Sequence, residues 1–308
     1  MLDIFLKTLP FFAVIGLGFA AGRVKFFTPE ATAYLTKFVF YFALSAMLFG
    51  FAANLDLRAL FSWAFVLAYT SATAVVWFLV AGVALFRGAK AEEAVFEAHT
   101  GVIGNVGFLG IPMLSLLMGK AAVGPVLLVL AVDLVVYSSI LTLLIAGLRQ
   151  GRMSPAMFRA LGLGLLRNPM IVSVILGMAW GATGWAVPVP VNEFMTMLGA
   201  AATPCALFAI GASLAGRSAE RWQVAGWLSF AKLVLHPSAV AVAALVLFPV
   251  DRYAAGVMVA AASLPVAGNV FILAQHFGVA PQRVSTAILI STAASVVTVT
   301  AVIALVAG

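Results

Sequence analysis

Charge is what this 308-residue chain has least of. Asp, Glu, Lys and Arg make up 9% of it, against about 25% in soluble domains, so a fold that keeps its whole surface in water is excluded. Cysteine is nearly absent: Cys205 stands alone, which rules out an internal disulfide framework and any cysteine-built metal cluster. Three histidines with no H-E-x-x-H spacing give no metal site. No G-x-x-x-x-G-K-S/T loop is present to cradle a nucleotide phosphate, and no cofactor is implied. The sparse His, Cys and Asp supply no activated nucleophile, so an enzyme is not expected. The net charge of +7 is scattered rather than gathered into a patch, which argues against nucleic acid as a partner.

Apolar residues are what the chain has in plenty, at 64%, with a mean hydropathy of +1.17. A bilayer-spanning helix needs about 20 of them. Ten such segments are predicted, near 4–22, 32–53, 60–86, 92–119, 122–148, 168–185, 193–215, 224–248, 252–278 and 281–306. The class is therefore an all-α polytopic membrane protein, with the lipid bilayer as its first partner. Met1-Leu2-Asp3 lacks the basic region of a signal peptide, so the first apolar run is expected to be a retained span.

The breaks between segments carry the charges, and unequally. Arg23, Lys25, Arg87, Lys90, Arg149, Arg152, Arg159, Arg167, Arg217, Arg221 and Arg283 fall on one side, eleven in all. Lys7, Arg58, Lys120 and Arg252 fall on the other, while Lys37 and Lys232 lie inside spans. The richer side is expected to be cytoplasmic, which places the chain in the cell (inner) membrane with both termini outside.

The chain also resembles itself at an offset of 159 to 164 residues. Gly104-Asn105-Val106 returns as Gly268-Asn269-Val270, the stretch from Ala43 to Phe49 returns from Ala202 to Phe208, and Trp63 returns as Trp227. Five spans separate the copies, so the halves enter the membrane from opposite sides. The expected organisation is a first five-helix repeat over 1–148, a short basic linker over 149–167, and a second repeat over 168–308. Inverted repeats of this kind recur among secondary transporters.

Two spans are poor helix material in their middles. Gly101, Gly104, Gly107, Gly110 and Pro112 crowd the fourth, and Pro265 and Gly268 interrupt the ninth. At about 1.5 Å per residue from Glu92, Asn105 lies roughly 20 Å along its span, near the bilayer midplane. If both helices break there, two positive helix ends face one spot, with the amides of Asn105 and Asn269 beside them. Such a spot favours an anion. The other reading is that the glycines merely allow close packing. Asp133 sits in the fifth span with Tyr137 a turn away, and Lys232 and His236 share a face of the eighth. Intramembrane charges are functional by default, so Asp133 is a candidate proton or substrate group and Lys232 with His236 a counter-charge. A buried Asp133–Lys232 pair holding helices in register is equally open. Lys37, His99 and His276 are placed near span ends, their polar tips reaching for the interface.

These stretches resemble the auxin efflux carrier family of bacterial permeases, related to the plant PIN auxin carriers. The resemblance is carried by Gly104 to Pro112, Asn168 to Ile171, Pro204 to Leu214, Lys232 to Pro237 and Ala262 to Val270. It implies ten spans in two inverted repeats with crossing fourth and ninth helices. It also implies a scaffold of spans one, two, six and seven that forms a homodimer, and a transport domain that moves against it like an elevator. It assigns Asn105 and Asp133 to substrate, a mono- or dicarboxylate such as auxin, malate or malonate, and Gly104, Gly107, Pro112, Tyr137, Pro265, Gly268, Asn269 and Ser45 join them as candidate binding residues. Two departures stand out. Ser45 replaces a usual proline, so the second span is expected to bend less, and Asp133 replaces an amide, so it can carry a proton. The rival readings are a sodium-coupled symporter of the bile-acid type and a carrier-like membrane sensor.

The charge asymmetry generates a test of topology. In a Cys205-free variant, cysteines added at either terminus should react with an impermeant maleimide in intact cells. Labelling only after permeabilisation would reverse the orientation.

Overall fold

Four helices in this chain begin where a short polar side chain takes up a loose amide. Thr28, Ser62, Asn168 and Asp251 accept from the backbone N–H of Ala31, Phe65, Met170 and Ala254 at 3.2, 3.4, 3.0 and 3.0 Å. Pro29 and Pro169 follow two of these caps, at the position where a missing N–H is harmless. The computed structural model describes residues 2–54, 61–150, 159, 162–164, 166–216 and 221–306. Most of the expected linker 149–167, together with Arg58, Arg152 and Arg217, lies outside the described residues.

The helices run in the order α1 (Leu2–Arg23), α2 (Pro29–Ala53), α3 (Trp63–Phe86), α4 (Ala91–Val102), α5 (Val106–Leu117), α6 (Lys120–Arg149) and α7 (Pro169–Ala182). There follow α8 (Val189–Ala200), α9 (Ala202–Ala215), α10 (Trp222–Leu247), α11 (Arg252–Ala262), α12 (Gly268–Phe277) and α13 (Pro281–Val306). Seven stretches are long and apolar enough to cross a membrane: α1, α2, α3, α6, α8 with α9, α10 and α13. The segments expected at 92–119 and 252–278 are each two helices, α4 with α5 and α11 with α12. The segment expected from 193 begins at Val189 and steps at Ala201, just before Pro204. The second span contains a π turn at Val39–Ala43, and the Ser45 hydroxyl donates to the Phe40 carbonyl at 3.1 Å across it.

Packing sorts the helices into two groups. α1 lies along α9, and α2 is held between α7 and α8. In the other group α3 packs on α4 and α10, α10 on α11 and α13, and α6 on α4 and α11. Contacts between the groups include α1 with α13, α1 and α9 with α5, and Gly107 of α5 against Met170 of α7. The α1–α9 crossing is backbone against backbone. A Cβ on Gly18 would fall on the Phe208 carbonyl, and one on Gly211 on the Ile15 carbonyl. Two apolar helices in lipid gain nothing by hiding from lipid, so close van der Waals contact of this kind is what holds them together.

A charged knot ties the ends of α3, α4 and α13. Glu97, 1% exposed, accepts from Arg87 at 2.5 Å and from Arg283, which also lies 3.4 Å from Glu93. Nearby, Arg149 pairs with Glu92 at 2.9 Å and donates to the Phe277 carbonyl at 2.5 Å, joining α6, α4 and α12. Arg87, Arg149 and Arg283 therefore pin helices together as well as marking one end of the bundle.

The tight crossing should show in stability. Gly211→Val must push α1 away and should cost about 1–3 kcal/mol, read as a lower melting temperature in detergent. Gly50→Ala, where an added Cβ meets nothing within 4 Å, should leave the melting temperature unchanged or raise it. A Gly211→Val protein as stable as the wild type would refute the crossing.

Candidate functional site

The two interrupted spans meet at their interruptions. The Asn105 N–H donates to the Pro265 carbonyl at 2.8 Å, the Ala267 N–H donates to the Ile103 carbonyl at 3.1 Å, and Gly104 and Val266 form an antiparallel bridge. Residues 101–107 and 261–267 are all buried. In hydrocarbon an unwound backbone must find its hydrogen bonds within the protein, and each break supplies the other's. Just beyond the bridge, α5 starts at Val106 and α12 at Gly268, so two sets of first-turn amides leave the same crossing. Asn105 is the N-cap of α5 and is buried; Asn269 is half-buried, and its Oδ1 has no partner. A Cβ on Gly268 would meet nothing within 4 Å, so the start of α12 opens onto free space.

Lys232 is fully buried in a π turn of α10 and reaches this crossing. Its Nζ donates to the Ala262 carbonyl at the end of α11 and lies 3.3 Å from His236 Nδ1. A cation at a helix C-terminus meets the negative end of the dipole. Gly104 makes room for it: a Cβ there would stand 3.2 Å from Lys232 Cε.

From His236 the polar contacts continue away from the crossing. Its Nε2 lies 3.0 Å from Thr73 Oγ1, and its ring stands edge-on to Tyr69 at 5.8 Å. The Tyr69 hydroxyl donates to Asp133 Oδ1 at 2.8 Å. Asp133 sits in the π turn Val132–Tyr137 of α6, and its Oδ2 is buried without a partner. Among the described residues Asp133 and Lys232 form no ion pair, so the direct register pair considered from the sequence is not present. Tyr69 takes the place beside the carboxylate.

The structure gathers Gly104, Asn105, Pro265, Gly268, Asn269 and Lys232 at the crossing, with His236 behind Lys232 and Asp133 reached through Tyr69. Others from the expected set are engaged elsewhere. Gly107 faces α7, where its Cβ would meet Met170 Cε at 2.9 Å. Pro112 lies in the next turns of α5. The Tyr137 hydroxyl donates to the Thr70 carbonyl at 2.6 Å, and the Ser45 hydroxyl is spent on its own helix. His99 does not reach an interface: α4 is enclosed over 94–102, and both His99 ring nitrogens are buried without partners. Lys37 is exposed, its ammonium 5.5 Å above the Tyr34 ring, and His276 is exposed at the end of α12. Tyr69 and Thr73 were missed because a tyrosine and a threonine in an apolar helix read as core. The available signal was their i,i+4 spacing, the same as that of Lys232 and His236.

Known proteins match nearly the whole chain. A family model described as "Membrane transport protein" matches residues 3–303. A protein of Rhizobium meliloti (strain 1021) named "Putative malonate transporter" is 33% identical over 304 residues, covering 97% of this chain and 94% of that protein.

Lys232→Met removes the donor to the Ala262 carbonyl and leaves a buried acceptor bare. A loss of about 1–3 kcal/mol is expected, measured by thermal unfolding in detergent. Lys37→Met, at an exposed position, should stay within about 0.5 kcal/mol of the wild type. Equal effects of the two would remove Lys232 from the crossing.

Proposed function

Since the chain belongs to the auxin efflux carrier family of membrane transport proteins, we propose that it is a secondary carrier for a small organic acid anion, with malonate the first substrate to try. The observation that carries this reading is the crossing itself. Two helix N-termini, at Val106 and Gly268, leave one buried point with Asn105 and Asn269 beside them. Amides and positive helix ends are the donors a carboxylate needs, and Gly268 faces free space in which a ligand can stand.

The carrier has ten spans in two inverted repeats, 1–148 and 168–308, joined by the basic linker 149–167. It lies in the cell membrane with both termini outside. The group of α1, α2, α7, α8 and α9 is the scaffold through which two copies pair. The group of α3 to α6 and α10 to α13 carries the crossing across the membrane as an elevator. The division of packing between these groups supports such a movement. Asp133, with one carboxylate oxygen held by Tyr69 and the other free of partners, is the group through which a proton is coupled to the anion.

Purified protein in liposomes should carry labelled malonate in a saturable way without ATP. Asn105→Ala and Asn269→Ala each remove a donor to a charged ligand. Each should weaken the apparent affinity roughly ten- to hundred-fold, from a loss of about 1.5–3 kcal/mol. Unchanged affinity in both folded variants would reject the site. Asp133→Asn cannot titrate, and it should no longer concentrate malonate in response to an imposed pH gradient. Normal accumulation by that variant would separate proton coupling from Asp133.

A further inference from the structure

The break in the ninth span can be followed amide by amide. Ser263 and Leu264 donate back into α11, to the carbonyls of Val259, Ala260 and Ala261. Pro265 has no N–H to place. The Ala267 N–H goes to the Ile103 carbonyl of the facing break. Between these, the buried Val266 N–H donates instead to a side chain, the hydroxyl of Ser291 on α13, at 3.1 Å. Ser291 is itself fully buried and gives its own hydrogen to the Ile288 carbonyl at 3.2 Å, which leaves its oxygen to accept. The amides that come next, those of Gly268 and Asn269, have no partner among the described residues. A side chain from outside the two broken spans thus completes the pairing just before the donors that stay open.

The two helix starts at the crossing are fixed differently. α5 is set by packing, with Val106, Leu109, Ile111, Met113 and Leu114 all buried. α12 has only Val270 and Ala274 buried. Its far end is tied by Arg149 at the Phe277 carbonyl, and its near end is held by the bonds of Val266 and Ala267. We propose that Ser291 is a positioning residue of the anion site: by taking the Val266 amide it sets where α12 starts, and so where the Gly268 and Asn269 donors stand. This rests on the carrier reading above. Without the Ser291 oxygen a buried N–H is left bare, a state that backbone avoids by moving to another partner. Val266 is two residues from Gly268, so the start of α12 moves with it.

Malonate uptake by liposomes holding the purified protein reads the effect. Ser291→Ala should raise the KM for malonate about tenfold, as for other groups that orient a binding residue, with Vmax per folded carrier little changed. Ser291→Thr keeps the oxygen and should retain the wild-type KM. Ser295→Ala, one turn on, removes a buried hydroxyl that serves its own helix and should change neither constant. If Ser291→Ala does not fold, Ser291→Cys, a weaker acceptor of similar size, takes its place with the same outcomes. A loss confined to Vmax, or a KM raised equally in Ser291→Thr or Ser295→Ala, would make Ser291 merely structural and overturn the proposal. So would an unchanged KM in folded Ser291→Ala. Hydrogen–deuterium exchange over residues 263–270, read by mass spectrometry, needs no substrate. It should quicken in Ser291→Ala and stay at the wild-type rate in Ser291→Thr and Ser295→Ala. Unchanged exchange in Ser291→Ala would remove the hold on Val266 itself. Quickened exchange in a protein that carries no malonate would leave that hold standing and remove the carrier reading, together with the part Ser291 plays in it.

Discussion

The structure depends on a constraint that water would have relaxed. A helix broken inside a bilayer exposes amides and carbonyls, each costing several kcal/mol if left bare. Here two breaks are laid against each other, and Ile103, Asn105, Pro265 and Ala267 exchange the hydrogen bonds that their helices gave up. The bridge Gly104–Val266 is the only strand-like pairing among the described residues. It fixes where α4, α5, α11 and α12 can lie, and so fixes the point at which the helix ends meet.

The buried charges follow from that crossing. α11 ends with the Ala262 carbonyl inside the bundle, and Lys232 answers it, which in turn places His236, Thr73, Tyr69 and Asp133 in order behind it. A lone ion in such surroundings would be far too costly. Glu97 follows the same rule in the middle of α4, between Arg87 and Arg283. Breaking such an arrangement by removing one member is expensive, although an apolar replacement of the whole can be tolerated. Asp133 Oδ2, Asn269 Oδ1 and the His99 ring nitrogens are among the buried polar atoms that have no hydrogen-bond partner.

The helix groups differ in how they are held. α1 and α9 meet backbone to backbone through Gly18 and Gly211, a contact that tolerates no added atom and little sliding. α3, α4 and α13 are tied to one another by ion pairs, and polar side chains join α3 and α13 each to α10. Contacts between the groups, among them α9 on α5 and α1 on α13, are narrower than the α1–α9 crossing.

The amino-acid sequence determined by itself whatever depends on local composition. Apolar content demanded a membrane fold, and glycine and proline weakened the fourth and ninth spans over 100–112 and 263–269. Lys232 and Asp133 stood out because charge is so rare in this chain. Only the tertiary structure decided which residues meet. Glu97 and Arg283 lie 186 positions apart and Tyr69 and Asp133 lie 64 apart, distances over which no periodicity carries information. Hydropathy is also blind to facing in a bilayer, because the side of a helix that touches lipid is as apolar as the side that touches its neighbours. For that reason the burial of His99, the turn of Gly107 toward Met170 and the withdrawal of Ser45 and Tyr137 into backbone hydrogen bonds could be settled only by the packing of the helices.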